Sequence, residues 1–395
     1  MPLDFAARLD ARSALPVDAG SAALAGRVWR PELGGPSVVA VREGVVVDIS
    51  RRFPTMRDLC ETPDPAAALR AADGENIGGL AEILTNTVSE LRDPARPHWL
   101  APIDLQAVKA AGVTFAISML ERVIEERARG NPAAAEAIRK EITTLVGDDL
   151  SRLRPGSDEA MRLKAVLIEQ GVWSQYLEVG IGPDAEIFTK AQVLSSVGTG
   201  AEAGLHRIST WNNPEPEVVL VVASTGTIVG ATLGNDVNLR DVEGRSALLL
   251  GKAKDNNASC ALGPCLRFFD GGFSLDDVRK MELSLKVEGE DGFVIDGSSN
   301  MAKISRDPAD IARQMIGPHH QYPDGAVLFL GTLFAPVQDR GAPGKGFTHA
   351  YGDIVTVATP RLGALVNRML ASDDCPPWTF GARALMANLA RRGLL

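Results

Sequence analysis

The chain has 395 residues, of which 41 are Lys or Arg and 50 are Asp or Glu, so its formal net charge is −9. An acidic chain without a basic block is poorly suited to nucleic acid, because contacts with phosphates need clustered Lys and Arg. With 45% hydrophobic residues, the chain can bury a sizeable core. Its length predicts two domains, or one domain with a large insertion.

The cysteines and the apolar segments favour a cytoplasmic protein without a membrane partner. The four cysteines are widely spaced and form no C-x-x-C pair, which fits a reducing compartment better than a disulfide scaffold. The first residues contain an early acid and no long apolar stretch, so no secretory signal is predicted. In the central region the longest apolar run, Val218 to Ala223, has the length of a strand.

The first 97 residues are predicted to form a small N-terminal α/β domain. Residues 38–50 alternate and are rich in Val, which is typical of one or two short strands. A stretch rich in Pro and Asp ends near residue 97 and indicates a boundary.

Residues 102–171 are predicted to be helical. Leu120, Val123 and Ile124 recur at helical spacing, and Asn131-Pro132 can begin a second helix at 133–147. A third helix is expected at 157–171, because acids occupy its first turn and Gly171 follows it. Residues 98–175 are therefore interpreted as a helical insertion that forms a lid.

From about residue 178, short Val-rich segments alternate with turns of Gly, Asp and Asn, which predicts an antiparallel or mixed β domain over 176–395. A hairpin turn is expected at Thr225-Gly226, between two of these segments. One amphipathic helix is predicted at 379–392.

The most informative motif is Glu215-Pro216-Glu217, which runs directly into an apolar strand. Residues two apart in a strand point to the same face, so both carboxylates should project together. In a hairpin, Asp236 at the end of the next strand returns to the same end. Three carboxylates suit a hard divalent cation such as Mg²⁺, Mn²⁺ or Ca²⁺ and leave open positions for substrate. The alternative is a pair of solvated acids and a turn-capping Asp.

An ordered set of motifs in the C-terminal half resembles the fumarylacetoacetate hydrolase superfamily. Each motif alone is weak, but their order is specific. The matching residues are Glu215-Pro216-Glu217, Asn235-Asp236-Val237 with Arg240-Asp241, Gly251-Lys252, Gly331-Thr332, and Gly352 to Val357.

This resemblance implies an α+β fold in which a mixed β-sandwich roll forms the core, with a small N-terminal domain and a helical insertion. It also implies Mg²⁺ or Mn²⁺ bound by Glu215, Glu217 and Asp236, a 2-keto acid substrate, and a homodimer or dimer-based oligomer. A lysine and a threonine near the substrate correspond to Lys252 and Thr332. The residues expected at the substrate are Phe115, Lys190, Arg240, Gly331 and Thr332.

Lys252 is the predicted proton-transferring lysine. It follows an apolar run, and a partly desolvated lysine beside a cation has a lowered pKa and can move protons. The alternative is an ordinary surface lysine, the role predicted for Lys254.

The chain departs from the hydrolases of this superfamily at one motif. Those enzymes resemble G-x-N-Y-x-x-H-x-x-E, in which His and Glu activate water. Here the stretch from Gly112 to Glu121 has Ser118 at the His position and retains Glu121. Serine is no base at neutral pH without help, which argues against hydrolysis of a C–C bond.

The stretch that replaces this motif, and residues 317–336, resemble a subgroup that dehydrates 2-keto-3-deoxy sugar acids. The implied reaction converts a 2-keto-3-deoxypentonate to 2,5-dioxopentanoate through a metal-stabilised enolate. Lys252 is the expected base at C3, and Glu121, with Ser118, is expected to act at the C4 hydroxyl. Glu125 lies on the same helix face and is an alternative; which group is acid and which is base stays open.

Two other functions are compatible with the same residues. One is a C–C hydrolase or decarboxylase acting on a diketo or 2-keto acid. The other is a protein that binds a 2-keto acid without turning it over. The stereochemistry at C4 and the physiological metal are not fixed by the sequence.

Overall fold

The computed structural model describes residues 3–129, 131, 153–169, 171, 173–334, 336, 338–341 and 346–395, without the side chains of residues 116–118, 120 and 125. The helix predicted at 133–147 lies outside the described residues. Within them the fold is mixed α/β with two large sheets. No helix in these ranges is long and apolar enough to cross a bilayer.

The strands are, in chain order, β1 Leu24–Arg30, β2 Gly35–Arg42, β3 Val45–Asp48, β4 Glu75–Gly79, β5 His98–Leu100, β6 Ala107–Gly112, β7 Glu186–Ala191, β8 Glu202–Leu205, β9 Pro216–Val222, β10 Ile228–Asp236, β11 Cys260–Phe268, β12 Glu282–Glu288, β13 Val294–Asn300, β14 Ala326–Phe329, β15 Ile354–Thr359 and β16 Gly363–Ala371. The larger sheet has the order β4-β3-β2-β1-β11-β10-β9-β14-β6-β7, and β5 pairs with β1. The smaller sheet has the order β13-β12-β15-β16-β8.

The α-helices of the described residues are, in chain order, α1 Ala11–Ala14, α2 Met56–Cys60, α3 Pro65–Ala71, α4 Leu80–Thr85, α5 Ala116–Arg127, α6 Asp158–Glu169, α7 Gln175–Ile181, α8 Arg240–Glu243, α9 Leu250–Lys254, α10 Leu275–Arg279, α11 Pro308–Met315 and α12 Ala382–Arg391. Single turns of 3₁₀-helix occur at Ala6–Arg8, Pro31–Leu33, Ser89–Leu91, Ala247–Leu249 and Met301–Lys303.

The strongest secondary-structure predictions are confirmed. Two strands occupy the Val-rich segment at 35–48, and β9 and β10 form the expected antiparallel hairpin. Gly226 in its turn has a φ of 85°, a conformation that glycine adopts without strain. Helices α5, α6 and α12 lie where the sequence predicts helices.

The prediction that residues 102–171 are helical is wrong at its beginning, where β6 is a strand. Its sequence, AVKAAG, has a high helical propensity, because alanine is the best helix former. In the structure this segment is inserted between β14 and β7 and hydrogen-bonds to both. Pairing on both edges outweighs the weak local preference of a six-residue segment.

Strands from both sides of residue 97 share the larger sheet, because β1 pairs with β11. The division of the chain at residues 97 and 175 stays a prediction. The sheet nevertheless fixes the N-terminal strands relative to the β9–β10 hairpin through continuous backbone hydrogen bonds.

The central strand β9 is buried on both faces. Val218 and Leu220 belong to a hydrophobic cluster that includes side chains of the smaller sheet, such as Leu285. Val219 and Val221 belong to a second cluster, which includes side chains of α2 and α3. A strand covered on both faces is continuously apolar, and this explains the run that follows Glu217.

We expect Leu220→Ala to lower the free energy of unfolding by about 2–5 kcal/mol, because the substitution leaves a cavity in a core that cannot fully collapse. Leu220 is 0% exposed, whereas Leu248 is 95% exposed. The matched control Leu248→Ala should change stability by less than about 0.5 kcal/mol. Denaturant titration of both variants measures the difference, and equal midpoints would contradict this account of the core.

Candidate metal centre

The β9–β10 hairpin brings Glu215, Glu217 and Asp236 together. Glu217 lies opposite Gly234, and the backbone N–H of Asp236 donates to the carbonyl oxygen of Glu215 at 3.0 Å. Glu215 and Glu217 are two residues apart, so they share one side of the chain. One carboxylate oxygen of each residue lies within 4.8 Å of those of the other two, and all three residues are buried.

Three cationic side chains surround these carboxylates. Arg122 donates to Glu215 Oε1 at 2.5 Å, and Lys254 donates to Glu215 Oε2 at 2.6 Å and to Asp236 Oδ2 at 3.0 Å. The Nζ of Lys190 lies 2.8 Å from Asp236 Oδ1. Buried charges are tolerated when they are paired and hydrogen-bonded in this way.

The compensation is uneven, because Glu217 has no ion-pair partner among the described residues. It accepts one hydrogen bond, from the backbone N–H of Gly331 at 2.6 Å. Burial and the charges of Asp236 and Glu215 therefore hold the pKa of Glu217 well above its ordinary value. Burial alone would also raise the pKa of Asp236, but the charges of Lys190 and Lys254 outweigh it and lower that pKa.

These donors fit a hard divalent cation. Carboxylate oxygens are the ligands that Mg²⁺ and Mn²⁺ prefer, and Glu217 is a buried carboxyl group that an added positive charge would stabilise in its ionised form. The assignment of the three residues as metal ligands stays a prediction, and the geometry of the cluster supports it.

The structure reverses the predicted places of two lysines. Lys252 is exposed, whereas Lys254 is 2% exposed. The two residues lie in α9, where positions two apart point about 200° from each other, so only one can face the carboxylates. The prediction that Lys252 lies at the site and Lys254 at the surface is therefore wrong.

Strand β7 contributes one face to the site. Lys190 is fully buried and, besides contacting Asp236, donates to the carbonyl oxygen of Val237 at 3.1 Å. The ring of Phe188, two residues earlier, lies 5.7 Å from the Lys254 ammonium. The intervening Thr189 points outward, where its hydroxyl accepts a hydrogen bond from Lys109.

Glu186, at the start of β7, is a functional candidate that the sequence did not indicate. It alternates with Phe188 and Lys190 on the same face, and its carboxyl group lies against Gly112, where a Cβ atom would collide with it. Burial, followed by the nearby charge of Glu243, raises the pKa of Glu186 to about 7. A carboxyl group with this pKa can exchange a proton at neutral pH.

Glu121 and Arg240 lie near each other on the α5 side of the site. Glu121 Oε2 is 3.7 Å from Arg240 Nη2. The Arg240 guanidinium stacks over Trp211 at 4.4 Å from the ring centroid and donates to the carbonyl oxygen of Pro336 at 3.1 Å. The side chain of Ser118, the other residue predicted to act with Glu121, lies outside the described residues.

Gly331 contacts the cluster directly, and Thr332 follows it. Gly331 has a φ of 83°, and a Cβ atom there would collide with the hydroxyl of Thr114, so glycine allows the strand end to turn and present its N–H to Glu217. The Thr332 hydroxyl accepts a hydrogen bond from the N–H of Phe334 at 3.1 Å, and a hydroxyl that accepts can still donate its own proton. Contact between Thr332 and substrate stays a prediction.

Phe115, also predicted to contact substrate, is fully buried in the main hydrophobic core. Its backbone forms a bridge with Ile304. The structure thus gives its ring a packing role at the beginning of α5.

Two curated relatives have dehydratase names. The chain is 25% identical over 335 residues, which are 85% of this chain and 95% of the relative, to a "Probable 2-keto-3-deoxyxylonate dehydratase" of Haloferax volcanii. It is 31% identical over 182 residues, which are 46% of this chain and 57% of the relative, to the 2-dehydro-3-deoxy-D-arabinonate dehydratase of Saccharolobus solfataricus.

Solved structures share the fold. The apo form of 2-keto-3-deoxy-D-arabinonate dehydratase matches with a TM-score of 0.62 at 21% identity and covers 88% of this chain and 99% of its own. The same enzyme complexed with magnesium and 2,5-dioxopentanoate matches with a TM-score of 0.60 at 21% identity and the same coverage.

Residues 212–370, which contain all three carboxylates, match the family model of the fumarylacetoacetate (FAA) hydrolase C-terminal domain. The resemblance found in the motifs is thereby confirmed. This part of the chain is a C-terminal domain of the fumarylacetoacetate hydrolase family.

Proposed function

We propose that this protein is a metal-dependent hydro-lyase that converts a 2-keto-3-deoxypentonate to 2,5-dioxopentanoate. The observation that carries the proposal is the buried cluster of three carboxylates with Lys254 beside it and Glu186 nearby. The names of the two relatives, and a structural neighbour complexed with magnesium and 2,5-dioxopentanoate, support this choice of reaction.

Glu215, Glu217 and Asp236 would hold Mg²⁺ or Mn²⁺. When bound, such an ion supplies positive charge that stabilises negative charge on the oxygens of the keto acid. The N–H of Gly331 keeps the Glu217 carboxylate in place, and Lys190 does the same for Asp236. Hydrogen bonds of this kind orient ligand groups and tune their affinity for a metal.

Lys254 takes the role that the sequence assigned to Lys252, removal of the proton at C3. In this structure Lys254 is held as an ammonium, because its contacts with Asp236 and Glu215 outweigh burial and raise its pKa. Lys254 would share these carboxylates with a bound dication, and its pKa would then fall toward the range of a base. The base would thus be activated only in the loaded enzyme.

Glu186 is the proposed acid for the hydroxyl at C4. As Lys254 accepts the C3 proton, the C–H electron pair forms the C2–C3 double bond of an enolate. The C2 carbonyl then reforms, this pair becomes the C3–C4 double bond, and the C4 oxygen is expelled. Glu186 protonates the departing oxygen, and water leaves. Transfer of a proton from C5 to C3 gives a C4–C5 enol, whose tautomerisation yields the C5 aldehyde of 2,5-dioxopentanoate. The Glu186 pKa of about 7 leaves a large protonated fraction at neutral pH. Glu121 and Arg240 would orient the substrate end that lies away from the carboxylates.

The homodimer implied by the family resemblance stays a prediction. The direct test of the reaction is incubation of the protein and Mg²⁺ with the 2-keto-3-deoxypentonates of both C4 configurations. We expect 2,5-dioxopentanoate to accumulate from at least one of them and chelation to stop its formation. Absence of the semialdehyde from both would overturn the proposed function.

We expect Glu217→Gln to lower Mg²⁺-dependent turnover by at least about 100-fold, because it removes a metal ligand. The added Mg²⁺ should raise the melting temperature of the wild type, since it binds the folded state, but not that of the variant. Glu282→Gln, at an exposed residue of β12, is the control for both readouts. A variant with wild-type turnover would remove Glu217 from the ligand set.

Lys254→Met and Lys252→Met form a matched pair, because they delete the same ammonium two residues apart. Removal of a proton-transferring group typically costs about 100-fold to 10,000-fold in rate, so we expect this loss in Lys254→Met. Lys252→Met should keep turnover near that of the wild type, since its side chain is exposed. The reverse order of the two rates would restore Lys252 as the base.

Glu186→Gln tests the proposed acid through the pH dependence of turnover. In the wild type we expect turnover to fall as the pH rises above the Glu186 pKa of about 7, because the acid is then ionised. The variant should be slow and lack this dependence. A wild-type pH profile in Glu186→Gln would exclude Glu186 as the acid, and Glu282→Gln again serves as the control.

Glu186→Gln should also change how the stability of the metal-free protein depends on pH. The folded state raises the Glu186 pKa from 4.5 to about 7, so the stability contributed by its proton is present below about pH 4.5 and is lost as the pH rises through 7. In denaturant titrations across this pH range, the free energy of unfolding should decline less for Glu186→Gln than for the wild type.

A further inference from the structure

A cleft of about 1290 Å³ lies near the β4 edge of the larger sheet. Of the two edges of this sheet, the β4 edge is the farther from the carboxylate cluster. The walls of the cleft are residues that follow β3, the loop between α2 and α3, helix α3 itself, and the end of α12. Five strand steps separate β3 from β9, which corresponds to about 24 Å at a strand spacing of about 4.8 Å. The cleft is therefore distinct from the metal centre.

Four arginines of this cleft have no carboxylate partner within ion-pair distance in the described part of the chain: Arg51, Arg52, Arg391 and Arg392. The fifth arginine, Arg30, is neutralised by Asp48 at 2.7 Å and Glu75 at 2.8 Å. The lining contains five arginines and four carboxylates. In a chain with a net charge of −9, a concave surface with more cations than carboxylates favours an anion over a cation.

Arg392 is the most constrained of the four. Its guanidinium donates to the carbonyl oxygen of Pro36 at 2.7 Å and to Ser37 Oγ at 3.1 Å, both neutral acceptors. Burial lowers the pKa of Arg392, and the charges of Asp48 and Glu32 offset this effect only in part. A bound anion would relieve this cost.

Four carboxylates line the cleft, those of Asp48, Asp64, Asp73 and Glu75, so the five arginines leave an excess of one positive charge. Asp64 accepts from the backbone N–H of Ala67 at 2.9 Å as the N-cap of α3, and Asp48 is committed to Arg30. Asp73 is exposed at the rim.

The cleft also has an apolar wall, made of Leu33, Phe53, Ala68, Ala72 and Leu394. The Arg52 guanidinium stacks on the Phe53 ring at 5.5 Å from its centroid. Guanidinium groups bind phosphate through paired hydrogen bonds and also stack on flat rings. A ligand that combines negative charge with a flat, weakly polar ring would satisfy both walls.

We propose that this cleft binds a phosphorylated small molecule that carries a ring, with nucleotides as the chemical class. The phosphates would lie among the other arginines, and the base would lie against the exposed Arg52 guanidinium and the alanines of α3. The proposal is independent of the dehydratase function, because no residue of the metal centre lines the cleft.

The experiment is calorimetric titration of the full chain with ADP in the absence of divalent cations, so that the metal centre cannot bridge to phosphate. We expect saturable binding that weakens with added salt, since the contacts are ionic. Pyrophosphate should bind more weakly than ADP, because it lacks the ring, and adenosine should not bind. No saturation at millimolar ADP, or equal binding of adenosine or of a dicarboxylate such as 2-oxoglutarate, would overturn the proposal.

Variants at exposed arginines locate the binding. We expect Arg51→Ala and Arg391→Ala each to weaken ADP binding roughly tenfold, as for the loss of one charge-assisted hydrogen bond. Arg383→Ala is the matched control, because Arg383 is exposed on the same helix as Arg391 but does not line the cleft. Unchanged melting temperatures confirm that the variants fold. Wild-type affinity in both cleft variants would place the ADP elsewhere and contradict the assignment.

Discussion

The mutual repulsion of three buried carboxylates is the constraint on which the β9–β10 hairpin and the side chains around it depend. Glu215, Glu217 and Asp236 are held within 4.8 Å of one another by the register of a single hairpin. A slip of one residue would turn every side chain of β9 to the other face. The apolar residues that anchor β9 between two hydrophobic clusters therefore also fix the geometry of the charged end.

The cations that balance these carboxylates come from separate parts of the chain. Arg122 belongs to α5, Lys190 to β7 and Lys254 to α9. Arg122 also lies 3.0 Å from Glu243, so it links α5 to α8 as well as to Glu215. A cation bound by these carboxylates would compete with Arg122 for Glu215, which is one of the contacts that hold α5 in place.

The sequence predicted the carboxylate cluster because two simple periodicities determine it. Alternation in a strand places Glu215 and Glu217 on one face, and an antiparallel turn returns Asp236 to them. The position of Lys254 did not follow from such a rule. Lys252 and Lys254 are two positions apart on a short helix, so they cannot both face the site. The sequence contains no signal for how α9 is rotated against the sheet.

The sequence also failed to predict β6 and Glu186, because tertiary contacts determine both. The alanine-rich β6 is a strand only because β14 and β7 pair with it from both sides. Glu186 has a raised pKa because of burial and of a neighbour, Glu243, that is 57 residues away in the chain. A signal for Glu186 did exist, since it is four residues before Lys190 on a strand, but it required knowing that β7 faces the carboxylates.

The carboxylate cluster and the arginine-lined cleft obey the same physical rule, with charges of opposite sign. In the carboxylate cluster, Glu217 has no ion-pair partner among the described residues; in the cleft, the half-buried Arg392 has no carboxylate within ion-pair distance in the described part of the chain. An incompletely paired charge costs stability to the extent that it is buried, and a ligand of opposite charge would recover that stability by binding the folded state. Arg51 and Arg391 come from distant parts of the chain, so an anion between them would tie the C-terminal helix to the N-terminal strands without involving the carboxylates.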